Sequence, residues 1–146
     1  MNEQMIDKDS IKKLIQISLD MRAKSYAPYS KFNVGAALLC SDGLIYTGAN
    51  IENSSYGMTM CAERTAVFKA VSENHKDFAA IAITGGKSGE EKLELCPPCG
   101  ACRQVLSEFC KSDILIILAR STSDYEVHTL GELLPLTFGA ESLNNA

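Results

Sequence analysis

Residues 78–84 have the sequence FAAIAIT and are followed by Gly85 and Gly86, and residues 114–118 have the sequence ILIIL. Continuous apolar runs of this length predict strands that are buried on both faces, and the two glycines predict the end of the first strand. Pro98 lies between the runs, ahead of apolar residues at helical spacing, and suits the first position of a helix. A strand, a helix and a strand in this order predict a parallel pair with a right-handed crossover.

The segments on either side of this unit carry further helix and strand patterns. In chain order they predict a helix capped by Asp7, strands at 32–40 and 44–48 joined by the turn Ser41-Asp42-Gly43, a helix at 60–72, a strand at 125–129 and a helix at 130–134. The complete order is α-β-β-α-β-α-β-β-α. It predicts an α/β fold, a three-layer α/β/α sandwich with a mixed five-stranded sheet, as a single domain over residues 1–146.

Composition and charge narrow the class of partner. The chain has 146 residues, a net charge of −4 and a pI of about 5.2, and its lysines and arginines are scattered. Because polyanion binders carry a basic face, we expect a small-molecule substrate and no nucleic-acid partner. The first ten residues do not resemble a signal peptide, and no apolar run is as long as the roughly 18 residues of a membrane span. We therefore expect no membrane partner and a cytoplasmic location, where six cysteines indicate metal binding or catalysis before disulfides.

Four of the six cysteines are candidates for a metal site. Cys99 and Cys102 form a Cys-x-x-Cys pair at the start of a predicted helix, where the N-terminus favours thiolates. This pair alone fits either a metal site or a redox motif. Cys61 opens another predicted helix, and three thiolates on one Zn²⁺ would leave the fourth tetrahedral position to water, as in a catalytic site. Cys96 is the alternative fourth ligand, which would close the site, but Pro97 and Pro98 direct it away from the helix end.

Glu63 follows Cys61 by two residues. In the first turn of the helix, its side chain can reach back to the open zinc position and exchange a proton with the water there. The alternative is a first-turn glutamate that only stabilises the helix dipole. Arg64 and Arg103 each follow a proposed ligand or the glutamate, and a guanidinium would offset the excess charge of three thiolates. The alternative for Arg103 is a surface residue in a salt bridge.

Cys61-Ala62-Glu63 and Pro98-Cys99-Gly100-Ala101-Cys102 match the zinc deaminase signature in order and spacing, with cysteine in the histidine position. Together with FNVGAALL at 32–39 and NIENSSY at 50–56, they make the sequence resemble the small homotetrameric cytidine deaminases over nearly its whole length. The resemblance implies one Zn²⁺ per chain held by the three cysteines, with Glu63 as the catalytic proton shuttle.

The resemblance also implies which residues bind a nucleoside. Asn50 and Glu52 would bind the ribose hydroxyls, Phe32 would pack on the pyrimidine, and Ala62 would contribute backbone contacts to the base. Arg64 would contact the zinc ligands, and Phe138 would close the pocket of a neighbouring subunit in a homotetramer. The remaining pocket residues that the resemblance implies are Ile51, Asn53, Ser54, Ser55 and Tyr56.

The predicted reaction is the hydrolysis of cytidine or 2'-deoxycytidine to the uridine and ammonia, as part of pyrimidine salvage. Two alternatives remain open at this stage. One is a deaminase of another cytosine compound, such as a nucleoside antibiotic or a cytosine within a polynucleotide. The other is a zinc-stabilised binding module without catalysis, which would saturate its zinc and have no use for Glu63.

Overall fold

The computed structural model describes residues 6–144 of the chain. The prediction of one domain over residues 1–146 therefore includes seven residues that lie outside the described part. The helices are α1 (Lys8–Met21), α2 (Ala62–Ser72), α3 (Gly100–Phe109), α4 (Leu130–Leu133) and α5 (Ala140–Asn144), and short 3₁₀ turns span Arg22–Lys24 and Tyr56–Met58. The strands are β1 (Phe32–Cys40), β2 (Ile45–Ala49), β3 (Phe78–Lys87), β4 (Leu115–Ala119) and β5 (Tyr125–Thr129).

The five strands form one mixed sheet in the order β2-β1-β3-β4-β5. Strand β1 pairs antiparallel with both β2 and β3, and β4 pairs antiparallel with β5. Strands β3 and β4 are parallel and are connected through α3, with Ala80 opposite Leu115 and Ile83 opposite Leu118. The predicted mixed five-stranded sheet and its parallel pair are confirmed.

Each face of the sheet is covered by a helical layer. Ala66 and Val67 of α2 and Leu106 of α3 pack on one face, against side chains such as Ile81 and Ile116. Helix α1 covers the other face with Ile11, Leu14 and Ile15, which pack against Ala80, Ala82 and Ile117. The three-layer prediction is confirmed, and α5 is an element that the sequence patterns did not predict. No helix within residues 6–144 is long and apolar enough to cross a membrane.

Strand β3 is longer than the sequence predicts. The strand continues through Gly85 and Gly86, which pair with Val34 and Asn33, so the prediction that the glycines end it is wrong. The glycines allow close approach rather than a turn. A Cβ atom on Gly85 would lie 2.9 Å from Sγ of Cys96 and 3.0 Å from Cε1 of Phe32.

The two helices that carry the cysteine motifs each begin two residues later than predicted. Helix α2 begins at Ala62, and Cys61 is its N-cap residue with extended backbone. Helix α3 begins at Gly100 with Cys99 as its N-cap, so the prediction that Pro98 occupies the first helical position is wrong. Pro98 instead precedes the cap. Both Cys61 and Cys99 therefore lie at the point where a chain segment enters a helix.

Helix α2 lies directly against β2 at Gly48. A Cβ atom there would lie 2.3 Å from the carbonyl oxygen of Ala62 and 2.6 Å from the amide nitrogen of Ala66. Both are backbone atoms of α2, so they can move only if the helix moves. Glycine at this position therefore allows α2, the helix that follows Cys61, to lie this close to the sheet.

We expect the substitution Gly48→Ala to lower the free energy of unfolding by at least about 1–3 kcal/mol, because the helix backbone must be displaced. Urea unfolding followed by circular dichroism measures this change. The control is Gly57→Ala, since no atom lies within 4 Å of a Cβ built there; we expect it to stay within about 0.5 kcal/mol. Equal effects of the two substitutions would contradict the close-approach argument.

Candidate zinc site and active site

The sulfur atoms of Cys61, Cys99 and Cys102 all lie within 4.8 Å of one another. The Sγ atoms of Cys61 and Cys99 are 3.9 Å apart, and those of Cys99 and Cys102 are 3.4 Å apart. Zn–S bonds of about 2.3 Å in a tetrahedron place sulfurs about 3.8 Å apart. The three thiols therefore fit a single zinc ion. Within residues 6–144, no other group of three or more Cys, His, Asp or Glu side chains is as compact.

Arg64 supplies positive charge to this group. Its Nη2 donates a hydrogen bond to Sγ of Cys61 over 3.2 Å. The pKa of Cys61 is lowered, first by the neighbouring Cys102 thiol and then by Arg64. The pKa of Cys102 is raised, first by its interaction with Cys61 and then by burial. The site therefore already favours a thiolate at Cys61, which is the form that binds zinc.

Glu63 lies in the first turn of α2 and is only 5% exposed. Burial raises the pKa of its carboxyl to about 7, because a charged carboxylate is disfavoured away from water. The neighbouring Cys61 charge raises that pKa further, while a hydrogen bond from the backbone amide of Glu63 opposes the shift. A carboxyl with this pKa can both accept and release a proton near neutral pH, as general acid–base catalysis requires.

Cys96 lies outside the group of three sulfurs. Its half-buried side chain packs in the core beside the α2 and α3 residues, and its sulfur lies against Gly85. Burial raises the pKa of the Cys96 thiol to about 11, so it stays protonated near neutral pH. Three cysteines thus remain as candidate zinc ligands, which would leave a fourth tetrahedral position to water.

We expect Cys96→Ala to keep one zinc per chain and Cys99→Ala to lose most of it, since only Cys99 belongs to the three-sulfur group. The measurement is the metal content of the purified, dialysed proteins by plasma mass spectrometry. Loss of zinc in the Cys96 variant, with Cys99→Ala still loaded, would show that the ligand set is a different one.

Asn50 connects the end of β2 to the beginning of β1. Its side chain is almost fully buried; Oδ1 accepts hydrogen bonds from Ser25 Oγ and from the Val34 amide, the latter over 2.9 Å. Its Nδ2 donates to the carbonyl oxygen of Phe32 over 2.9 Å. Phe32 itself is 38% exposed, so it is a surface aromatic beside Gly85 and not a core residue.

Glu52 holds the turn that precedes β1. Its Oε1 accepts hydrogen bonds from the amides of Tyr29 over 3.0 Å and of Ser30 over 3.1 Å, and Oε2 accepts from the Ser30 hydroxyl. The hydrogen bond from that hydroxyl is the largest of the effects that lower the pKa of Glu52. A cavity of about 360 Å³ is lined by these three residues together with Tyr56 and Thr59.

The loop between Asn50 and Cys61 folds back along its own end. The amides and carbonyls of Ile51 and Met60 exchange two hydrogen bonds of 2.9 Å, which brings the loop beside Cys61. Asn53 accepts a hydrogen bond from the amide of Ser55 over 2.9 Å and so shapes the tip. The positions of the other predicted pocket residues vary: Ser54, Ser55 and Tyr56 are exposed, and Ala62 is fully buried at the start of α2.

Two residues that follow Cys102 contact the C-terminal segment. The Arg103 side chain donates to the carbonyl oxygens of Pro98 and Leu133 over 2.9 Å and 2.7 Å. The sequence-based alternative of a surface salt bridge is therefore wrong, and within residues 6–144 the Arg103 side chain makes no hydrogen bond to the cysteine sulfurs. Gln104 Nε2 donates to the carbonyl oxygen of Phe138 over 2.7 Å, while the Phe138 side chain is 60% exposed.

Sequence reasoning gave no role to Ser25, Tyr29, Ser30 or Gln104. The only available signal was their place in or next to the quoted motifs, because the partners of their hydrogen bonds lie up to 34 positions away. A larger cavity of about 610 Å³ lies at the opposite end of the sheet, lined by residues such as Cys40, Phe78 and Cys110. It is remote from the three clustered cysteines, so its size does not identify it with the chemistry.

Comparison with known proteins identifies relatives along most of the chain. The family model described as cytidine and deoxycytidylate deaminase zinc-binding region matches residues 8–118. A cytidine deaminase from Halalkalibacterium halodurans is 48% identical over 132 residues, which cover 90% of this chain and 96% of that protein. A cytidine deaminase from Sporosarcina psychrophila is 49% identical over 136 residues, which cover 93% of this chain and 96% of that protein.

Solved structures agree with these relatives. The crystal structure of cytidine deaminase from Burkholderia pseudomallei superposes with a TM-score of 0.77 at 44% identity, covering 86% of this chain and 97% of that chain. That of the Mycobacterium tuberculosis cytidine deaminase gives a TM-score of 0.73 at 40% identity, covering 87% and 95%. With three sulfurs at zinc-ligand spacing, these similarities show that the chain is a zinc-dependent hydrolase and belongs to the cytidine and deoxycytidylate deaminase family.

Proposed function

We propose that the protein catalyses the hydrolytic deamination of cytidine and 2'-deoxycytidine to uridine and 2'-deoxyuridine, with release of ammonia, in pyrimidine salvage. The observation that carries this proposal is the buried Glu63 in the first turn of α2, directly after one of three cysteines whose sulfurs lie within 4.8 Å of one another. Relatives named cytidine deaminase at 48% and 49% identity favour this function over a non-catalytic zinc module.

We assign Cys61, Cys99 and Cys102 as the ligands of one Zn²⁺ per chain. When bound, zinc supplies a Lewis acid that makes a water molecule nucleophilic near neutral pH. The protein's part is to hold three sulfurs on two helix N-termini and to leave the fourth position open. Arg64 limits the excess negative charge of the thiolates through its hydrogen bond to Cys61.

Glu63 is the proposed proton shuttle. Its carboxylate takes a proton from the water and delivers it to N3 of the cytosine ring, which prepares C4 for addition of the water oxygen. The same carboxyl group then carries the second proton of the water to the departing amino group, which leaves as ammonia. The burial that raises the pKa of Glu63 to about 7 suits both transfers.

We expect Glu63→Gln to lower kcat for cytidine by about 10²- to 10⁴-fold, because the amide cannot transfer the proton. The loss of cytidine absorbance in the ultraviolet measures the rate, and metal analysis should still give one zinc per chain. A matched control is Glu108→Gln, an exposed glutamate at the far end of α3. Turnover near that of the unmodified protein in a zinc-loaded Glu63→Gln variant would exclude this role.

Asn50 and Glu52 are the proposed contacts to the sugar. The Asn50 amide nitrogen makes one hydrogen bond within the described chain and has a second N–H to donate. The Glu52 carboxylate accepts three of the roughly four hydrogen bonds that its oxygens can take. One remaining donor and one remaining acceptor suit a sugar hydroxyl that both donates and accepts.

We assign the pyrimidine contacts to residues around the zinc. The ring of Phe32, exposed beside Gly85, would stack on the base, and the buried backbone of Ala62 would bond its edge. Further contacts are assigned to the loop residues Ile51, Asn53, Ser54, Ser55 and Tyr56. The net charge of −4 supports a free nucleoside over a cytosine within a polynucleotide. A panel of cytidine, 2'-deoxycytidine, cytosine nucleoside antibiotics and single-stranded DNA tests this specificity.

A homotetramer is proposed as the working form, with Phe138 closing the pocket of a neighbouring subunit. The support is the exposure of the C-terminal apolar side chains, 60% for Phe138 and 91% for Leu136, which the described chain leaves without a covering surface. The carbonyl of Phe138 is nevertheless held by Gln104, so the segment has a defined place from which to reach outward.

We expect Phe138→Ala to raise KM for cytidine more than tenfold, because the substitution removes the binding free energy of one aromatic contact. Steady-state kinetics measure KM, and size-exclusion chromatography with light scattering measures the assembly. Leu136→Ala is the control, since Leu136 is apolar, exposed and two residues away. If the two variants show the same kinetics, Phe138 has no special part in the pocket.

The chain is proposed to form one deaminase domain that works in the cytoplasm. A single sheet underlies both apolar clusters, which supports one domain. The support for the location is that all six cysteines are free, as thiols are in a reducing compartment.

A further inference from the structure

Arg103 connects the loop that precedes α3 to the C-terminal end of α4. Its Nε donates to the carbonyl oxygen of Pro98 over 2.9 Å, and its Nη1 donates to that of Leu133 over 2.7 Å. The ion pairs found within residues 6–144 do not involve Arg103. The guanidinium therefore acts on backbone carbonyls, and its planar, rigid arrangement of donors fixes the direction between them.

The carbonyl groups of Pro98 and of Cys99 both accept hydrogen bonds from Arg103. The Pro98 carbonyl, which precedes Cys99, accepts from the Arg103 side chain. The carbonyl of Cys99 itself accepts from the backbone amide of Arg103 over 3.0 Å. The second of these is the ordinary first hydrogen bond of α3, which does not depend on the side chain, so the Arg103 guanidinium itself orients the Pro98–Cys99 peptide group.

Cys99 is the cysteine of the three that most needs such support. It is exposed, whereas Cys102 is buried and Cys61 is half-buried. Cys61 also receives the hydrogen bond from Arg64, and the Cys99 side chain makes no capping hydrogen bond at the start of α3. Packing therefore contributes little to the position of its sulfur, and the backbone contributes most.

We propose that Arg103 is a positioning residue for the zinc ligand Cys99, and that its hydrogen bonds hold the loop at Pro98 against Leu133 at the end of α4. This inference deepens the proposed function and rests on it. Within residues 6–144 the Arg103 side chain makes no hydrogen bond to the sulfurs; it sets the backbone from which the Cys99 sulfur projects. Groups that orient metal ligands typically change metal affinity by about 10- to 100-fold when removed.

The test compares Arg103→Met and Arg103→Lys with the unmodified holoprotein. Zinc affinity is measured by competition with a chromophoric chelator, and cobalt(II) substitution reports ligand geometry through its absorption bands. We expect Arg103→Met to weaken zinc binding by about 10- to 100-fold and to shift the cobalt bands. Arg103→Lys keeps the charge but cannot span both carbonyls. Its zinc affinity should therefore fall between those of the unmodified protein and of Arg103→Met.

Arg120→Met is the matched control, because Arg120 is an exposed arginine paired with Asp124 at the surface. It should bind zinc as the unmodified protein does. Unchanged zinc affinity and cobalt spectrum in folded Arg103→Met would overturn the proposal. If Arg103→Met does not fold, Arg103→Lys decides: weaker zinc binding with a shifted spectrum supports the positioning role, and unchanged values overturn it.

Zinc affinity and deaminase activity separate this inference from the proposed function. If the unmodified protein does not deaminate cytidine while Arg103→Met still loses zinc affinity, the positioning role stands and the proposed substrate is wrong. If the unmodified protein deaminates cytidine and Arg103→Met keeps full zinc affinity, the proposed function stands and the role of Arg103 is wrong.

Discussion

The meeting of two helix N-termini over one face of the sheet is the constraint on which the site depends. Cys61 is the N-cap of α2 and Cys99 is the N-cap of α3, and their sulfurs come within 4.8 Å because both helices begin at the same place. The sheet sets that distance through close backbone approaches. Helix α2 lies directly against Gly48, and β3 passes beneath the site at Gly85, where Cys96 and Phe32 occupy the space of a side chain. Small residues in the strands thus determine where the metal ligands lie.

The same placement creates an electrostatic problem that the neighbouring residues offset. Three thiolates and a carboxylate close to one dication would leave the site negative, and a helix N-terminus offsets only about half a charge. Arg64 reaches Cys61 and reduces the excess, while burial keeps Glu63 partly protonated near neutral pH. Arg103, although it directly follows Cys102, directs its charge to two carbonyl oxygens instead. One arginine therefore adjusts charge at the site, and the other fixes geometry.

The sequence was sufficient for the sheet, the helix order and the grouping of Cys61, Cys99 and Cys102, because these depend on local periodicity and motif spacing. It was insufficient wherever a distant contact decides the outcome. Gly85 continues a strand because it pairs with Val34 of β1, about fifty positions earlier, and no local pattern contains that information. The direction of the Arg103 side chain depends on Leu133, thirty positions away.

In a single chain the site is open to bulk water. Hydrolysis at a buried carboxyl and a metal benefits from a site that excludes bulk water, because electrostatic interactions strengthen when the surroundings are dry. One described chain leaves much of the surroundings exposed: Cys99 is accessible, Tyr56 is 74% exposed and Phe32 is 38% exposed. The C-terminal segment at Phe138 is equally uncovered, though Gln104 anchors it. In the proposed homotetramer, a second copy of the chain would cover both the exposed apolar segment and the open site.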